Sequence, residues 1–97
     1  MNPQIIFHSE AEAEIFEALA WYEERSSLAA RAFVQELGHV VRLAARSPES
    51  WPGSFAKTRR VVFPRFPFDL IFRTRGGALE VVAVAPHRRR PFYWRNR

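Results

Sequence analysis

Ninety-seven residues carry a formal net charge of +5, are 47% hydrophobic and include no cysteine. A chain of this length makes one domain, here residues 1–97, that buries about 60–65% of its unfolded surface. The lack of cysteine excludes a disulfide framework and any thiolate metal site and fits a reducing, cytoplasmic setting; no apolar run nears the roughly 18 residues that span a bilayer, and Met1-Asn2-Pro3-Gln4 shows no export signal.

Ile5-Ile6-Phe7 is a short apolar run after Pro3, which predicts a first strand near a sheet edge, where a preceding proline is tolerated. Ser9 with Glu12 three positions on is a capping-box pattern, so a helix should start there. Ala11, Ile15, Leu19 and Tyr22 recur at helical spacing and mark its buried stripe, with Phe16 and Trp21 flanking it. Glu10, Glu12 and Glu14 sit where the positive end of the helix dipole favours them. Without a histidine among them, they read as a solvated face rather than a metal site.

Arg25-Ser26-Ser27 is a tight break in which a serine can cap a second helix. Phe33, Leu37, Val40, Val41 and Ala44 predict that helix from about Leu28 to Arg46, with Pro48 opposing its continuation. The short connection implies an antiparallel helical hairpin. Gly38 is locally costly there and suggests a close approach of the two helices. His39 reads as an exposed helix residue. The segment Pro48 to Phe55 is a loop from which Trp51 is expected to fold back over one end of the core. Lys57 to Phe63 reads as the second strand, with Arg59 and Arg60 pointing to opposite faces.

Pro64-Arg65-Phe66-Pro67 turns the chain into the strongest pattern in the sequence. Phe68, Leu70 and Phe72 alternate with Asp69, Ile71 and Arg73 up to Gly76-Gly77. A second run then places Leu79, Val81, Ala83 and Ala85 on one face and Glu80, Val82 and Val84 on the other. Period-two patterning on both sides of Gly-Gly is a hairpin signal, and a strand apolar on both faces is expected to be central. The element order is βααβββ: an α+β fold with an N-terminal strand, an antiparallel helical hairpin on a largely antiparallel sheet, and a C-terminal three-strand meander. The sheet face away from the helices is expected to be partly open, lined by Arg59 or Arg60, Arg73 and the tail.

Beyond Pro86 the chain becomes basic and aromatic: His87-Arg88-Arg89-Arg90-Pro91-Phe92-Tyr93-Trp94-Arg95-Asn96-Arg97. Residues 1–50 hold eight acids against four Lys/Arg, a net of −4, whereas residues 51–97 hold two acids against eleven Lys/Arg, a net of +9. Such a half suits a polyanion or an acidic protein as partner. Arg90 is a candidate to pair with Glu17. Tyr93 and Trp94 either dock the tail on the helices or touch a target, and His87 either bonds tail backbone or takes part in function.

Several blocks together resemble the RelE/ParE superfamily of bacterial toxins from type II toxin–antitoxin modules. They are Glu17-Ala18 and Tyr22, Phe33 and Leu37, Pro48 with Trp51-Pro52, Arg60, Phe66-Pro67-Phe68, and Ala83-Val84-Ala85 leading to His87-x-x-Arg90-Pro91-x-Tyr93-Trp94-x-x-Arg97. The resemblance implies a growth-inhibiting protein held inactive by a co-encoded antitoxin, whose flexible acidic segment wraps the toxin's apolar and basic surface.

Two targets follow from the resemblance, because fold alone does not choose between them. A ParE-like toxin binds and poisons DNA gyrase and needs only a complementary surface. Arg59, Arg60, Arg73, Arg88, Arg89, Arg90, Phe92, Trp94, Arg95 and Arg97 are then the residues for target or antitoxin, since Tyr, Trp and Arg dominate interfaces. A RelE-like toxin cuts messenger RNA on the ribosome and needs a proton acceptor, a proton donor and cations around the phosphorane. His87 and Tyr93 lie near the family's catalytic positions, with Arg59, Arg60 and Arg73 as the charge. Lys57 alone represents the lysine-rich second strand of many of the RNases. Neither mechanism requires a metal or another cofactor. The gyrase reading leads, and a non-toxic module binding single-stranded RNA ranks last.

Overall fold

The computed structural model describes residues 4–97. Its order is β1 (Ile5–Phe7), α1 (Ser9–Arg25), α2 (Ser27–Arg46), β2 (Arg59–Val62), β3 (Phe68–Arg75) and β4 (Ala78–Pro86). The sheet runs β1-β4-β3-β2, so β1 is an edge strand and β4 is central, as the patterning predicts. β1 lies parallel to β4, and the remaining pairs are antiparallel. Gly76 (φ 57°) and Gly77 (φ 81°) both take left-handed backbone at the β3–β4 turn, which a two-residue hairpin of matching twist requires.

Both helices cover one sheet face. Phe33, Val40 and Ala44 from α2 and Ala11 and Ala18 from α1 meet Leu70, Phe72, Leu79, Val81 and Val84 in the main core. Tyr22, Phe63, Phe66 and Phe68 gather around Phe33 with ring centroids 5.3–6.0 Å away. Trp51 folds back as expected, and its indole donates to the Leu43 carbonyl at 3.3 Å. Ser26 caps α2 by accepting from the Ala29 amide.

Several expectations need correction. The α1 cap is His8, whose Nδ1 accepts from the Glu10 amide at 3.1 Å, and Ser9 is already helical. Sheet pairing persists to the His8 amide, which donates to the Val81 carbonyl, and with His8 as the cap the third helical position is Ala11, which has no polar side chain to complete a capping box. β2 starts at Arg59 rather than Lys57, because Phe55–Lys57 forms a tight turn pinned by buried Thr58, whose hydroxyl and amide both donate to the Phe55 carbonyl.

The two faces of β4 do not alternate throughout. Ile71 pairs with Ala83 but Phe72 pairs with Val81, so Val82 is an extra residue. A bulge shifts parity beyond it. Leu79, Val81 and Val84 therefore face the helices, while Val82, Ala83 and Ala85 face the other side.

Gly38 does not bring the helices together. The three atoms nearest a Cβ built there all belong to the Arg42 side chain of its own helix, the first at 3.2 Å, a flexible end that can move by a few tenths of an ångström. Gly38→Ala is therefore expected to raise the unfolding free energy by about 0.5–1 kcal/mol through helix propensity, read by urea denaturation.

Candidate functional site: the latched basic tail

The second sheet face is not open. The tail after β4 doubles back across it, and Trp94, 4% exposed, packs on Ile71, Val82, Ala83 and Ala85 with Tyr93 at its margin. Tail and sheet, rather than tail and helices, form this second small core. An indole supplies a large apolar area from one side chain, enough to hold a short irregular segment.

Glu14 completes the attachment from α1, and its side chain is 11% exposed. Its carboxylate accepts two parallel bonds from the Arg97 guanidinium at 2.9 and 3.0 Å. It also accepts from the Tyr93 hydroxyl and, at 3.0 Å, from the Val84 amide. Arg97 donates further to the Val82 carbonyl at 3.2 Å. These β4 groups lie past Phe7, the last residue of the parallel partner β1, so Glu14 and Arg97 satisfy strand-edge groups beyond β1. Glu14 therefore leaves the solvated acidic face expected of it, while Glu10 and Glu12 remain exposed.

Burial, followed by the Glu14 bond and charge, pushes the Tyr93 phenol well above its ordinary pKa. Burial disfavours the charged Arg97, but its bonds to Glu14 more than offset this and raise its pKa. At the other end of the tail face, Arg73 donates to Glu80 at 2.8 Å and to the Arg97 carbonyl at 3.0 Å.

The remaining sequence candidates divide by location. Arg60 projects onto the tail side, 4.0 Å from Asp69, while Arg59 is tied to the Trp51 carbonyl at 2.7 Å. His87 meets Asp69 at 2.9 Å through its side chain, and its amide donates to the Pro67 carbonyl at 3.0 Å. The Arg89 guanidinium lies 3.8 Å from the Tyr93 ring centroid. Arg90 is exposed and, among the described residues, forms no ion pair, so the anticipated Arg90–Glu17 contact is replaced by Arg97–Glu14. Arg95 is exposed and, among the described residues, its side chain bonds only the nearby Phe92 carbonyl.

A cleft of about 260 Å³ opens between tail and sheet, bordered by Arg60, Asp69, His87, Arg90, Phe92 and the Tyr93 ring, among others. A second groove of about 150 Å³ lies between tail and α1, where Arg88 and Arg89 approach Glu17, Trp21 and Tyr22. Sequence reasoning missed Phe55, which stands 52% exposed against Phe92. Its signal was a second aromatic, after Trp51, in a loop rich in Pro, Gly and Ser. Among the described residues, no three metal-ligating side chains gather, and no helix is long and apolar enough to cross a membrane.

Comparison with known proteins agrees with this architecture. No curated protein matches the chain. A solved structure described as the chromosomal ParDE TA system from P. aeruginosa is similar in fold, with a TM-score of 0.75 at 17% identity, over 87% of this chain and 95% of that one. The family described as ParE toxin of type II toxin-antitoxin system, parDE, matches residues 5–91. That match spans the strand, the helical hairpin, the meander and the start of the tail, and the chain belongs to the ParE toxin family of type II toxin–antitoxin systems.

Proposed function

We propose that this chain is a growth-inhibiting toxin neutralised by a cognate antitoxin, and that it acts by binding DNA gyrase rather than by cutting messenger RNA. The observation that carries the choice of target is the state of Tyr93. Its hydroxyl is committed to Glu14 inside the tail attachment, and its pKa lies far above the range useful for proton transfer at neutral pH. A binding mechanism needs no free acid or base. It needs a fixed surface, and the latched tail offers Arg88, Arg89, Arg90, Phe92 and Arg95 on a rigid base.

The antitoxin half of the proposal draws on charge and exposure. The basic second half of the chain favours an acidic segment, and Phe16, Trp21, Leu28 and Val34 on the helical hairpin are exposed apolar residues that a partner would cover. His87 and Tyr93 border the same cleft as Arg60, so RNA cleavage is the control arm. Tyr93→Phe removes one of the bonds to Glu14 and should cost about 1 kcal/mol of stability while leaving inhibition of supercoiling in place. The reading is overturned if the parent chain cuts messenger RNA at codon edges on translating ribosomes, Tyr93→Phe does not, and supercoiling proceeds unhindered with both.

A further inference from the structure

Among the described residues, the non-glycine positions with left-handed backbone are Ala56 (φ 60°), Lys57 (φ 61°) and Phe92 (φ 61°). All lie at one place, where the 55–57 turn meets the tail. Such backbone is costly for a residue with a Cβ and persists where the surroundings impose it, often at binding sites. Here it presents two rings. Phe55 and Phe92 are 52% and 45% exposed, with centroids 5.6 Å apart and planes inclined by 38°. Both rings are left about half in water, while the neighbouring Trp94 is buried on the sheet.

The cleft beside Phe92 supplies charge. Arg60, Arg89 and Arg90 line it against the single carboxylate of Asp69. Asp69 is already engaged by His87 at 2.9 Å and stands 4.0 Å from Arg60. The Arg60 side chain is 52% exposed, and Arg90 has no ion-pair partner among the described residues. Arg90, unpaired among the described residues, and Arg60, held only at 4.0 Å from its carboxylate, thus stand beside an exposed aromatic pair. Rings take the face of an unpaired base, and guanidinium groups take the phosphates on either side of it. A duplex keeps its bases stacked inside and would offer these rings nothing.

We propose that the cleft binds a single-stranded nucleic acid, with one unpaired base on the Phe55–Phe92 pair and its flanking phosphates on Arg60 and Arg90. This goes beyond gyrase binding, which by itself needs no contact between the toxin and a free strand. The source of the strand, DNA or RNA, is separated by the test.

The test measures binding of the purified full chain to labelled oligo-dT and oligo-U of about ten nucleotides, and to a duplex of equal length, by fluorescence anisotropy across a salt series. Either single strand should bind more tightly than the duplex, and the tighter of the two names the source. Phe55→Ala and Phe92→Gly should each weaken binding by about tenfold or more, the factor expected on losing a stacked base. Phe92→Gly also relieves the left-handed backbone, so its thermal unfolding should stay close to that of the parent and separate binding from folding. Arg60→Gln and Arg90→Gln should each reduce the salt slope by about 0.7. Equal affinity for duplex and single strand, or unchanged affinity in both aromatic variants, overturns the proposal. Because the assay contains no gyrase, that failure would leave the gyrase reading standing, and loss of supercoiling inhibition alone would leave this one standing.

Discussion

Glu14→Ala should be the most damaging single change at the tail, lowering the free energy of holding it in place by about 3–5 kcal/mol. The carboxylate removed is 11% exposed and serves Arg97, Tyr93 and the Val84 amide together. Its loss strands a guanidinium that is itself only 13% exposed and leaves a strand-edge amide without an acceptor. Breaking a buried pair on one side costs more than the pair is worth, because the other charge remains. The effect is read by thermal unfolding and by trypsin cleavage among Arg88, Arg89 and Arg90 under native conditions, which reports release of the tail from a folded sheet. Glu12→Ala, on the exposed side of the same helix, is the control and should change stability by less than about 0.5 kcal/mol.

Glu36→Ala should cost about 3 kcal/mol, measured by urea denaturation. Glu36 is 5% exposed, and it holds the turn leading into β3. It accepts from the Arg65 and Phe66 amides at 2.8 and 3.0 Å and from the Arg65 guanidinium at 3.0 Å. Phe66 and Phe68 enter the ring cluster around Phe33 from that turn, so losing it loosens the core beneath. The Arg65 side chain is 67% exposed, and most of the cost therefore comes from the amide acceptors rather than the ion pair.

The same carboxylate sets a pH dependence. Burial alone would raise the Glu36 pKa, but the Arg65 and Phe66 bonds outweigh it and hold the group below its reference value of 4.5. Glu80 is lowered in the same way, with burial opposed by Arg73 and Arg75. A depressed folded-state pKa contributes stability that is present above the unfolded value and lost as pH falls through the folded one. Stability should thus decline as pH drops below 4.5, and the Glu36→Ala profile should be flatter over that range.

These carboxylates also mark where sequence reading stops. Gly76-Gly77 between alternating runs gave the hairpin away, and the apolar character of β4 announced its central place. That same character hid the bulge at Val82, because a strand apolar on both faces looks alike with or without a shift of parity. Glu14 resembles its neighbours Glu10, Glu12 and Glu17 in every local respect. What sets it apart is a partner 83 residues away, Arg97. Glu36 is likewise ordinary until the 65–66 turn folds onto it, 29 residues on. Trp94 read as a ring for display or docking, and only the tail's path over the sheet shows that it is buried while Phe92 is not. Period and propensity report on a residue's near neighbours, whereas the tail attachment depends on contacts that only the closed chain creates.

The attached tail also separates residues that hold it from residues that face outward. Arg97, Tyr93 and Trp94 anchor it. Arg88, Arg89, Arg90 and Arg95 are exposed along the tail, as is Phe92, and are the ones expected to meet a target. The most direct measurement is gyrase-driven plasmid supercoiling in the presence of the purified chain and of its Arg88→Glu/Arg89→Glu/Arg90→Glu variant. The parent should halt supercoiling, and the charge-reversed variant, folded to the same extent by circular dichroism, should not. Full supercoiling with the parent chain at saturating concentration would contradict it.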